Sequence, residues 1–490
     1  MQIYAFLRAK STKKGADILK CHMFCEVSYS ININLFYYTR KEGKMRYFFT
    51  VFICKIFIFV LHLMKKQATS APGKLAFRLY PDILKEFEKR TKKEIIAVMG
   101  TNGKTTTNNL LADCLEKCGF DVVCNRIGAN MDEGSVVAYI NKANLFGKIK
   151  CDYACLEMDE GWAEYILKYI TPSKIVVTNL FRDQLDRYGE IDTTIGFLRK
   201  AISLAPNATL YINADDPLTV AMASVFDNKK VYYGIENKVQ DVISTSKEGK
   251  YCLNCSKELK YEFNHFSQLG KYSCDCGFIR PEINFNAENI SVFPTLKMNV
   301  TSYGDITFPV RGMYNAYNVL AVLSVCDNLN ADKEKVKKAL NEYTPQAGRM
   351  EHFNIGGKDL YLILAKNPTG FNQSVASVND DPRTKDVVIS INDGLGDGKD
   401  VTWLWDVDFE NLIKDEIKSY HTSGRRYADM ALRLKYMGVE TDKISFAKDL
   451  KATLNSLSGS ENECIYVLAN YTALFEARAV ITEVCNGHKN

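Results

Sequence analysis

The chain has 490 residues, an apolar fraction of 46% and a formal net charge of +5 from 63 basic and 58 acidic residues. This length suits about three domains, each with a core of its own. The small charge excess argues against nucleic acid as the main partner. Many of the cysteines stand singly in apolar segments, as do Cys114, Cys118, Cys124 and Cys326. Such thiols are typical of a reducing compartment, so we expect a globular cytoplasmic protein.

The N-terminal segment, residues 1–66, differs in composition from the rest of the chain. Residues 47–64 are almost wholly apolar and are interrupted by Lys55. This length is near the lower limit for a membrane span, and a lysine at mid-helix costs about 2.5–3.5 kcal/mol on insertion scales. Because no small-residue cleavage site follows, we expect a helix on the protein or on the bilayer surface. Met45 is an alternative start, which would make residues 1–44 an over-extended reading frame.

From about residue 71, short apolar runs alternate with longer stretches of helical pattern. Strands that alternate with helices form parallel sheets. The sequence therefore predicts an α/β fold, and the polar residues that follow several strands mark the edge where ligands bind. The predicted strands are 95–99, 121–124, 153–156, 174–177 and 209–212.

Residues 100–106 form a glycine-rich loop that directly follows the first predicted strand. In such a P-loop, backbone N–H groups point at phosphates and the next helix adds its positive N-terminus. Lys104 can reach the terminal phosphates and Thr105 can ligate Mg²⁺, so we predict an ATP site. Val98 replaces the first glycine of the full Walker A pattern, and a Gly/Thr-rich surface turn is the alternative. The predicted nucleotide-binding residues of the loop are Gly100, Thr101, Asn102, Gly103, Lys104, Thr105 and Thr106.

Acidic residues follow two further predicted strands. Glu157 is the strongest candidate for a Mg²⁺ ligand, because a hard cation beside phosphates takes one or two carboxylates at fixed positions. Asp159 and Glu160 either take part directly or form a solvated acidic start to the next helix. Asp183 and Asp186 follow the strand at 174–177 and could also serve the metal or the γ-phosphate.

Four cysteines, Cys252 with Cys255 and Cys274 with Cys276, form two knuckles separated by eighteen residues. Four thiolates in this spacing are typical of a tetrahedral zinc site. No open coordination position is evident, so we predict a structural zinc ribbon at about residues 249–282. Unmetallated thiols are one alternative. A nucleic-acid module is another, and the few clustered basic residues of the insert weigh against it.

Residues 312–318, Gly-Met-Tyr-Asn-Ala-Tyr-Asn, open an apolar helix. Together with the loop at 100–106, Glu157 and the acidic stretch at 183–186, they resemble the Mur ligase superfamily over about residues 90–350. The resemblance implies an enzyme that joins an amine to a carboxylate through an acyl phosphate made from ATP.

The resemblance to the Mur ligase superfamily also concerns four single residues. Asn318 and Arg349 match positions that touch adenine or nucleotide phosphate in relatives, and an ordinary structural hydrogen bond is the alternative for each. Gln184 and Lys366 stand where many Mur ligases have histidines. The presence of a second metal site therefore stays open.

The C-terminal third departs from the usual ligase end domain and has its own motifs at 364–372 and 397–403. With the ribbon and residues 348–350, they resemble one branch of the superfamily, the ligase subunits of lipid II isoglutaminyl synthases. This resemblance implies amidation of the D-glutamate α-carboxylate of the lipid II stem peptide to D-isoglutamine. It also implies a heterodimer with a GatD-type glutaminase that supplies ammonia. The expected location is the cytoplasm, with contact to the inner face of the membrane.

Within this branch, Asp400 corresponds to an aspartate implicated as the third member of the glutaminase's catalytic triad. A carboxylate that accepts from an imidazole N–H fixes its tautomer, here across the subunit interface. The alternative is that Asp400 only shapes the glycine-rich loop at 393–398. Trp403 and Trp405 nearby suit either an interface or a core.

These features predict an apolar extension at residues 1–66, a Mur ligase-type ATP-binding domain at 67–345 and a Rossmann-like α/β domain at 346–490 that contacts the glutaminase. Lys104, Glu157 and Asp400 are the predicted catalytic residues. Two other functions stay open. One is a free-standing amino-acid ligase of the Mur or folylpolyglutamate type, and the other is a non-enzymatic nucleotide-binding protein with a zinc ribbon.

Overall fold

The structure is a computed structural model, and it describes residues 43–64, 68–126, 129–182, 191–239, 248–345, 347–394 and 396–487. The strands are, in chain order, β1 Glu94–Met99, β2 Val122–Cys124, β3 Tyr153–Glu157, β4 Lys174–Val177, β5 Thr209–Asn213, β6 Lys230–Gly234, β7 Lys260–Phe266, β8 Leu269–Ser273, β9 Phe285–Ser291, β10 Leu296–Val300, β11 Gly304–Phe308, β12 Arg349–Ile355, β13 Lys358–Leu364, β14 Lys385–Ser390, β15 Ile417–Ser423, β16 Ile444–Phe446 and β17 Cys464–Ala469.

The α-helices alternate with these strands through most of the chain. They are α1 Gly43–Leu63, α2 Ala71–Leu79, α3 Ile83–Glu88, α4 Lys104–Lys117, α5 Asp132–Lys142, α6 Glu160–Leu167, α7 Ile191–Ser203, α8 Pro217–Ala223, α9 Met313–Asn328, α10 Lys333–Asn341, α11 Pro368–Asn379, α12 Tyr427–Tyr436, α13 Leu450–Ser458 and α14 Tyr471–Gly487.

The larger sheet has nine strands in the order β11-β10-β9-β6-β5-β4-β1-β3-β2. The strands from β2 to β9 in this order are parallel, and β10 and β11 complete an antiparallel edge. β1 lies in the middle, and Ile95–Met99 are all buried because helices cover both faces of the sheet. The five predicted strands are confirmed to within a residue at each end.

The smaller sheet has six strands in the order β12-β13-β17-β14-β15-β16. β12 is antiparallel to β13, and the other neighbours are parallel. The predicted α/β class with a Rossmann-like C-terminal part is confirmed. The domain limits 67–345 and 346–490 stay predictions.

One buried arginine joins the two sheets. The guanidinium of Arg311 lies 3.1 Å from Asp381 and donates a 2.7 Å hydrogen bond to the hydroxyl of Tyr466. It also stacks over the ring of Tyr361, 4.4 Å from the centroid. Arg311 precedes α9 directly, so this contact fixes the start of α9 relative to the C-terminal sheet.

The apolar N-terminal segment forms α1, which packs on α2 and α5. Its buried residues include Tyr47, Val51, Cys54 and Ile58. The expected helix on the protein is therefore present, and its length and composition would also suffice to cross a membrane. Residues 1–42 lie outside the described residues.

Candidate nucleotide and metal sites

The P-loop joins β1 to α4 and has the backbone form that a phosphate-binding loop requires. Gly100 and Gly103 have φ of +116° and +83°, values that side chains rarely allow. A Cβ atom on Gly103 would lie 2.2 Å from the amide oxygen of Asn318. The end of β4 holds the loop in place, because Asn179 accepts from the Asn102 N–H at 2.8 Å and Thr178 donates to the Asn102 carbonyl at 2.8 Å.

Lys104 opens α4 and is buried among acceptors. Its ammonium donates to Glu160 at 2.9 Å and to the carbonyl of Thr101 at 3.2 Å, and it also contacts the carbonyl of Gly100. Burial works against the charge, but the carboxylates of Glu160 and Glu157 outweigh it and hold the pKa of Lys104 above its usual value. The residue is therefore a cation fixed at the loop.

Glu157 lies at the carboxyl end of β3, beside Val98 of β1 in the parallel register. Asn125 holds its backbone, accepting from the Glu157 N–H at 2.9 Å and donating to its carbonyl at 2.8 Å. One carboxylate oxygen, Oε1, lies 3.4 Å from the amide nitrogen of Asn130. The other, Oε2, is buried without a hydrogen-bond partner among the described residues. A buried carboxylate oxygen with free lone pairs fits a hard cation such as Mg²⁺.

One interpretation of Asp159 and Glu160 was a solvated acidic start of a helix. The helix start is confirmed, but the exposure to solvent is wrong. Asp159 caps α6 by accepting from the Gly161 N–H at 3.1 Å, as expected of an acidic residue at a helix N-terminus. Both residues are nevertheless buried. Glu160, in the first turn of α6, forms an ion pair with Lys104 of the P-loop. Asp183, Gln184 and Asp186 lie outside the described residues.

Two elements distant in sequence reach the loop. Asn318, in the first turns of α9, is buried and accepts from the Thr107 hydroxyl at 3.3 Å, and its own amide donates to Asn315. Asn367 caps α11 and reaches Asn102 of the loop, with its amide nitrogen 3.3 Å from the Asn102 side-chain oxygen. A residue from the C-terminal part of the chain therefore borders the P-loop.

The remaining predicted nucleotide residues lie around the same loop at different depths. Thr105 is half-buried and Thr106 is buried in the first turn of α4. Arg349, half-buried at the start of β12, lies near the phenol groups of Tyr314 and Tyr343. No described carboxylate forms an ion pair with Arg349, so its charge is available to an anion.

Asp400 lies on the surface. Its carboxylate accepts from the Thr402 N–H at 2.8 Å and so starts a short 3₁₀ turn, Thr402–Asp406. This hydrogen bond lowers the pKa of Asp400, which is exposed. Asp400 therefore stabilises the turn at 402–406. Its roles in the loop at 393–398 and toward a partner's histidine stay predictions.

The four ribbon cysteines converge. Their sulfur atoms all lie within 4.8 Å of one another, with Cys252–Cys276 at 3.7 Å and Cys255–Cys274 at 3.5 Å. A tetrahedral zinc with bonds of 2.3 Å would place its sulfur ligands about 3.8 Å apart, so the donor set and spacing fit this ion. The described cysteines form no disulfide.

A buried polar chain runs from the ribbon to α9. Arg280, just after the last cysteine, lies 2.9 Å from Asp215, which follows β5. Asp215 also accepts from the hydroxyl of Tyr317 at 2.8 Å. Because Tyr317 precedes Asn318, this chain connects the metal ribbon to the residue that packs on Gly103.

Sequence reasoning missed several of these contacts. It did not foresee that Glu160 pairs with Lys104, that Asn125 braces Glu157, or that Asn367 touches the P-loop. The helix-capping pattern Asn-Pro at 367–368 was a usable signal for the turn but not for its neighbour across the molecule.

Comparisons with known proteins identify the family of the chain. The family model described as the Mur ligase middle domain matches residues 98–326, and the model described as the MurT ligase C-terminal matches residues 364–474. A pseudomurein peptide ligase type C from Methanothermus fervidus has a TM-score of 0.63 at 22% identity, covering 82% of this chain and 81% of that one. MurF from Acinetobacter baumannii has a TM-score of 0.61 at 17% identity over 84% and 80%. The fold is that of the Mur ligases.

Two relatives identify the branch of the Mur ligases to which the chain belongs. The MurT subunit of lipid II isoglutaminyl synthase (glutamine-hydrolyzing) from Staphylococcus aureus strain COL is 35% identical over 431 residues, which is 88% of this chain and 96% of the relative. The corresponding subunit from Streptococcus pneumoniae strain R6 is 34% identical over 86% and 94%. The chain belongs to the MurT family.

Proposed function

We propose that this chain is the ligase subunit of a lipid II isoglutaminyl synthase. It uses ATP to convert the D-glutamate α-carboxylate of the lipid II stem peptide to an amide, D-isoglutamine. The observation that supports this most directly is the meeting of Lys104, Glu157 and Asn367 at one P-loop, in a chain related over most of its length to MurT subunits.

The first step activates the carboxylate. One carboxylate oxygen attacks the γ-phosphorus of ATP, ADP leaves, and an acyl phosphate forms. Lys104 supplies a fixed positive charge to the transferring phosphoryl group, and the backbone N–H groups of residues 100–106 bind the adjoining phosphates. Arg349 lies ready to bind a further oxyanion.

Glu157 and Thr105 are the residues that would hold Mg²⁺. Held by these two residues, Mg²⁺ would supply positive charge that offsets the negative charge developing on the phosphate oxygens. Glu157 suits this role because its buried Oε2 has no partner among the described residues, and because Asn125 and Asn130 fix its position.

In the second step ammonia attacks the carbonyl carbon, phosphate leaves, and the nitrogen loses a proton to water. Ammonia must arrive unprotonated, although most of it is ammonium at neutral pH. A glutaminase subunit of the GatD type, bound to this chain, releases ammonia inside the complex, where it can react before it is protonated.

The surface around Asp400 is suited to that partner. Trp405 is exposed, and its ring lies 5.8 Å from that of Tyr436, which is also exposed. Leu432 on the same helix, α12, is half exposed as well. Exposed aromatic residues beside an ionised Asp400 form a surface typical of protein interfaces, from which Asp400 can reach the partner's histidine.

The four ribbon cysteines would hold a structural zinc, whose sulfur-only ligand set leaves it no catalytic position. The single cysteines scattered through apolar segments of the sequence also support a cytoplasmic location.

The test is to combine the chain with a GatD-type glutaminase, MgATP, glutamine and lipid II, and to detect the amide by mass spectrometry. We expect amide formation that requires both subunits and is lost in Lys104→Met. Lys174→Met is the matched control, since Lys174 is another buried lysine paired with a glutamate, Glu94, at the far end of β4. Addition of an amino acid without the partner would instead indicate a free-standing ligase.

A further inference from the structure

Helix α1 has two apolar faces, and the ligase body covers only one of them. The second face is an exposed row, the apolar stripe, whose spacing of three, four or seven residues places it on one side of the helix. Its members are Met45, Phe52, Ile56, Phe59 and Leu63, exposed by 45, 37, 48, 63 and 69%.

The buried face of α1 is bonded to the ligase body. Tyr47 donates a 2.8 Å hydrogen bond to the carbonyl of Gly147, and Arg90 stacks 3.8 Å above its ring. The thiol of Cys54 donates to the carbonyl of Pro72 at 3.4 Å. A spanning helix would have to give up these contacts, so α1 fits the surface of a bilayer and not its interior.

The loop that follows α5 extends the apolar stripe. Phe146 is 73% exposed and stacks on Phe48, with ring centroids 6.4 Å apart, and Phe48 in turn stacks on Phe52 at 6.0 Å. Leu145 beside it is 56% exposed. The stripe and this loop therefore form one continuous apolar surface, larger than the scattered apolar residues usual on a soluble monomer.

Basic residues border this surface at the start of α1. Lys44, Lys148 and Lys150 line a cavity of about 780 Å³ next to Phe146, and we call these three lysines the basic rim. All three are exposed, and none forms an ion pair with a described residue. α1 itself contains three lysine or arginine residues and no acidic residue. Lys55 reaches past the stripe to the carbonyl of Asn141, as a snorkelling lysine does.

We propose that the apolar stripe and the basic rim dock this chain on an anionic lipid bilayer. The stripe would enter the boundary between headgroups and acyl chains, and the rim would bind lipid phosphates. A second copy of the chain is a poorer occupant, since it would bring the same basic rim to the contact and α1 offers no carboxylate to meet it. This docking does not depend on the proposed reaction.

The test is co-sedimentation of the full chain with vesicles of neutral phosphatidylcholine, and with vesicles that also contain phosphatidylglycerol. We expect binding to the anionic vesicles, weakened by salt. Phe52→Ser with Phe59→Ser should weaken it at least about tenfold, because two aromatic side chains no longer enter the boundary. Phe446→Ser on β16 is the control, since Phe446 is exposed to nearly the same extent as Phe59, and it should leave binding intact. Thermal unfolding should be alike for all variants.

The basic rim is tested separately with Lys148→Glu and Lys150→Glu, which should remove the preference for anionic vesicles. Three results would overturn the proposal. The first is unchanged sedimentation of the stripe variant, the chain with both Phe52→Ser and Phe59→Ser. The second is a dimer in vesicle-free solution that the stripe variant abolishes, which would make a second copy the occupant. The third is resistance to alkaline extraction from the vesicles, which would indicate a membrane span.

Discussion

The ammonium of Lys104 and the carboxylate of Glu160 form a buried ion pair, with Nζ and Oε1 2.9 Å apart. Lys104 belongs to the P-loop and Glu160 to the first turn of α6, so the pair ties the loop to the helix beside it. A phosphate that binds the ammonium group of Lys104 must therefore share it with the carboxylate of Glu160. The same pair therefore enters both the stability of the protein and its reaction.

Removing one member of this pair should be more harmful to stability than removing both. Lys104→Met leaves Glu160 buried without a counter-charge, which should lower the free energy of unfolding by about 3–5 kcal/mol. Lys104→Met with Glu160→Gln should recover most of that loss and still make no amide. Urea unfolding and amide formation measure the two effects. Recovery of activity in the double variant would contradict the assigned role of Lys104.

Glu157→Gln should weaken use of Mg²⁺ while leaving the fold intact. The glutamine keeps the volume and the contact with Asn130, but it removes the negative charge that a hard cation needs. We expect the Mg²⁺ concentration for half-maximal activity to rise at least about tenfold, and Glu157→Asp to recover part of the loss. Calorimetric titration with MgATP gives a second readout. Unchanged Mg²⁺ dependence would exclude Glu157 as a ligand.

Cys276→Ser should release the predicted zinc. Cys276 is exposed, so the change removes a ligand without leaving a cavity. We expect metal analysis to find one zinc per chain in the wild type and little in the variant. Through Arg280, Asp215 and Tyr317, loss of the ribbon should also weaken ATP binding several-fold. Cys118→Ser, outside the ribbon, is the control and should retain the metal.

Asp400→Asn should separate the two activities of the complex. The amide can still accept from the Thr402 N–H, so the turn should persist and stability should change little. Glutamine hydrolysis by the partner should fall by at least about a hundredfold, because an amide cannot stabilise the charged imidazole. Amidation with added ammonium salt at alkaline pH should continue. Unchanged glutamine hydrolysis would indicate that Asp400 only forms the turn.

Acid should destabilise the protein through His265 on β7. Burial lowers the pKa of His265 from 6.5 to about 4, so the folded state keeps it neutral where the unfolded chain binds a proton. The stability it contributes is complete above pH 6.5 and falls by roughly 3 kcal/mol as the pH drops to about 4. His265→Gln should flatten this part of the pH profile in urea unfolding. Parallel profiles for the two proteins would contradict it.

The sequence predicted what depends on neighbours along the chain. The first five strands are apolar runs buried on both faces, and the P-loop follows one of them directly. The four cysteines were recognisable by spacing alone. A helix within residues 47–64, on the protein or on the bilayer surface, also followed from composition.

Other features depend on residues that only the fold brings together. The pairing order of the strands, the antiparallel edge of β10 and β11 and the joint between Arg311 and Asp381 have no local signal. The burial of Glu160 could not be read from an acidic helix start, because Lys104 lies 56 positions away. The contact of Asn367 with Asn102 spans 265 positions.

The central claim is that this site activates the carboxylate by phosphorylation. The most direct measurement uses lipid II whose D-glutamate α-carboxylate is labelled with a heavy isotope of oxygen, in the complex with its glutaminase. An acyl phosphate requires that one labelled oxygen leave with the inorganic phosphate as the amide forms, and we predict labelled phosphate in step with amide. Amide formation accompanied by unlabelled phosphate would contradict the account.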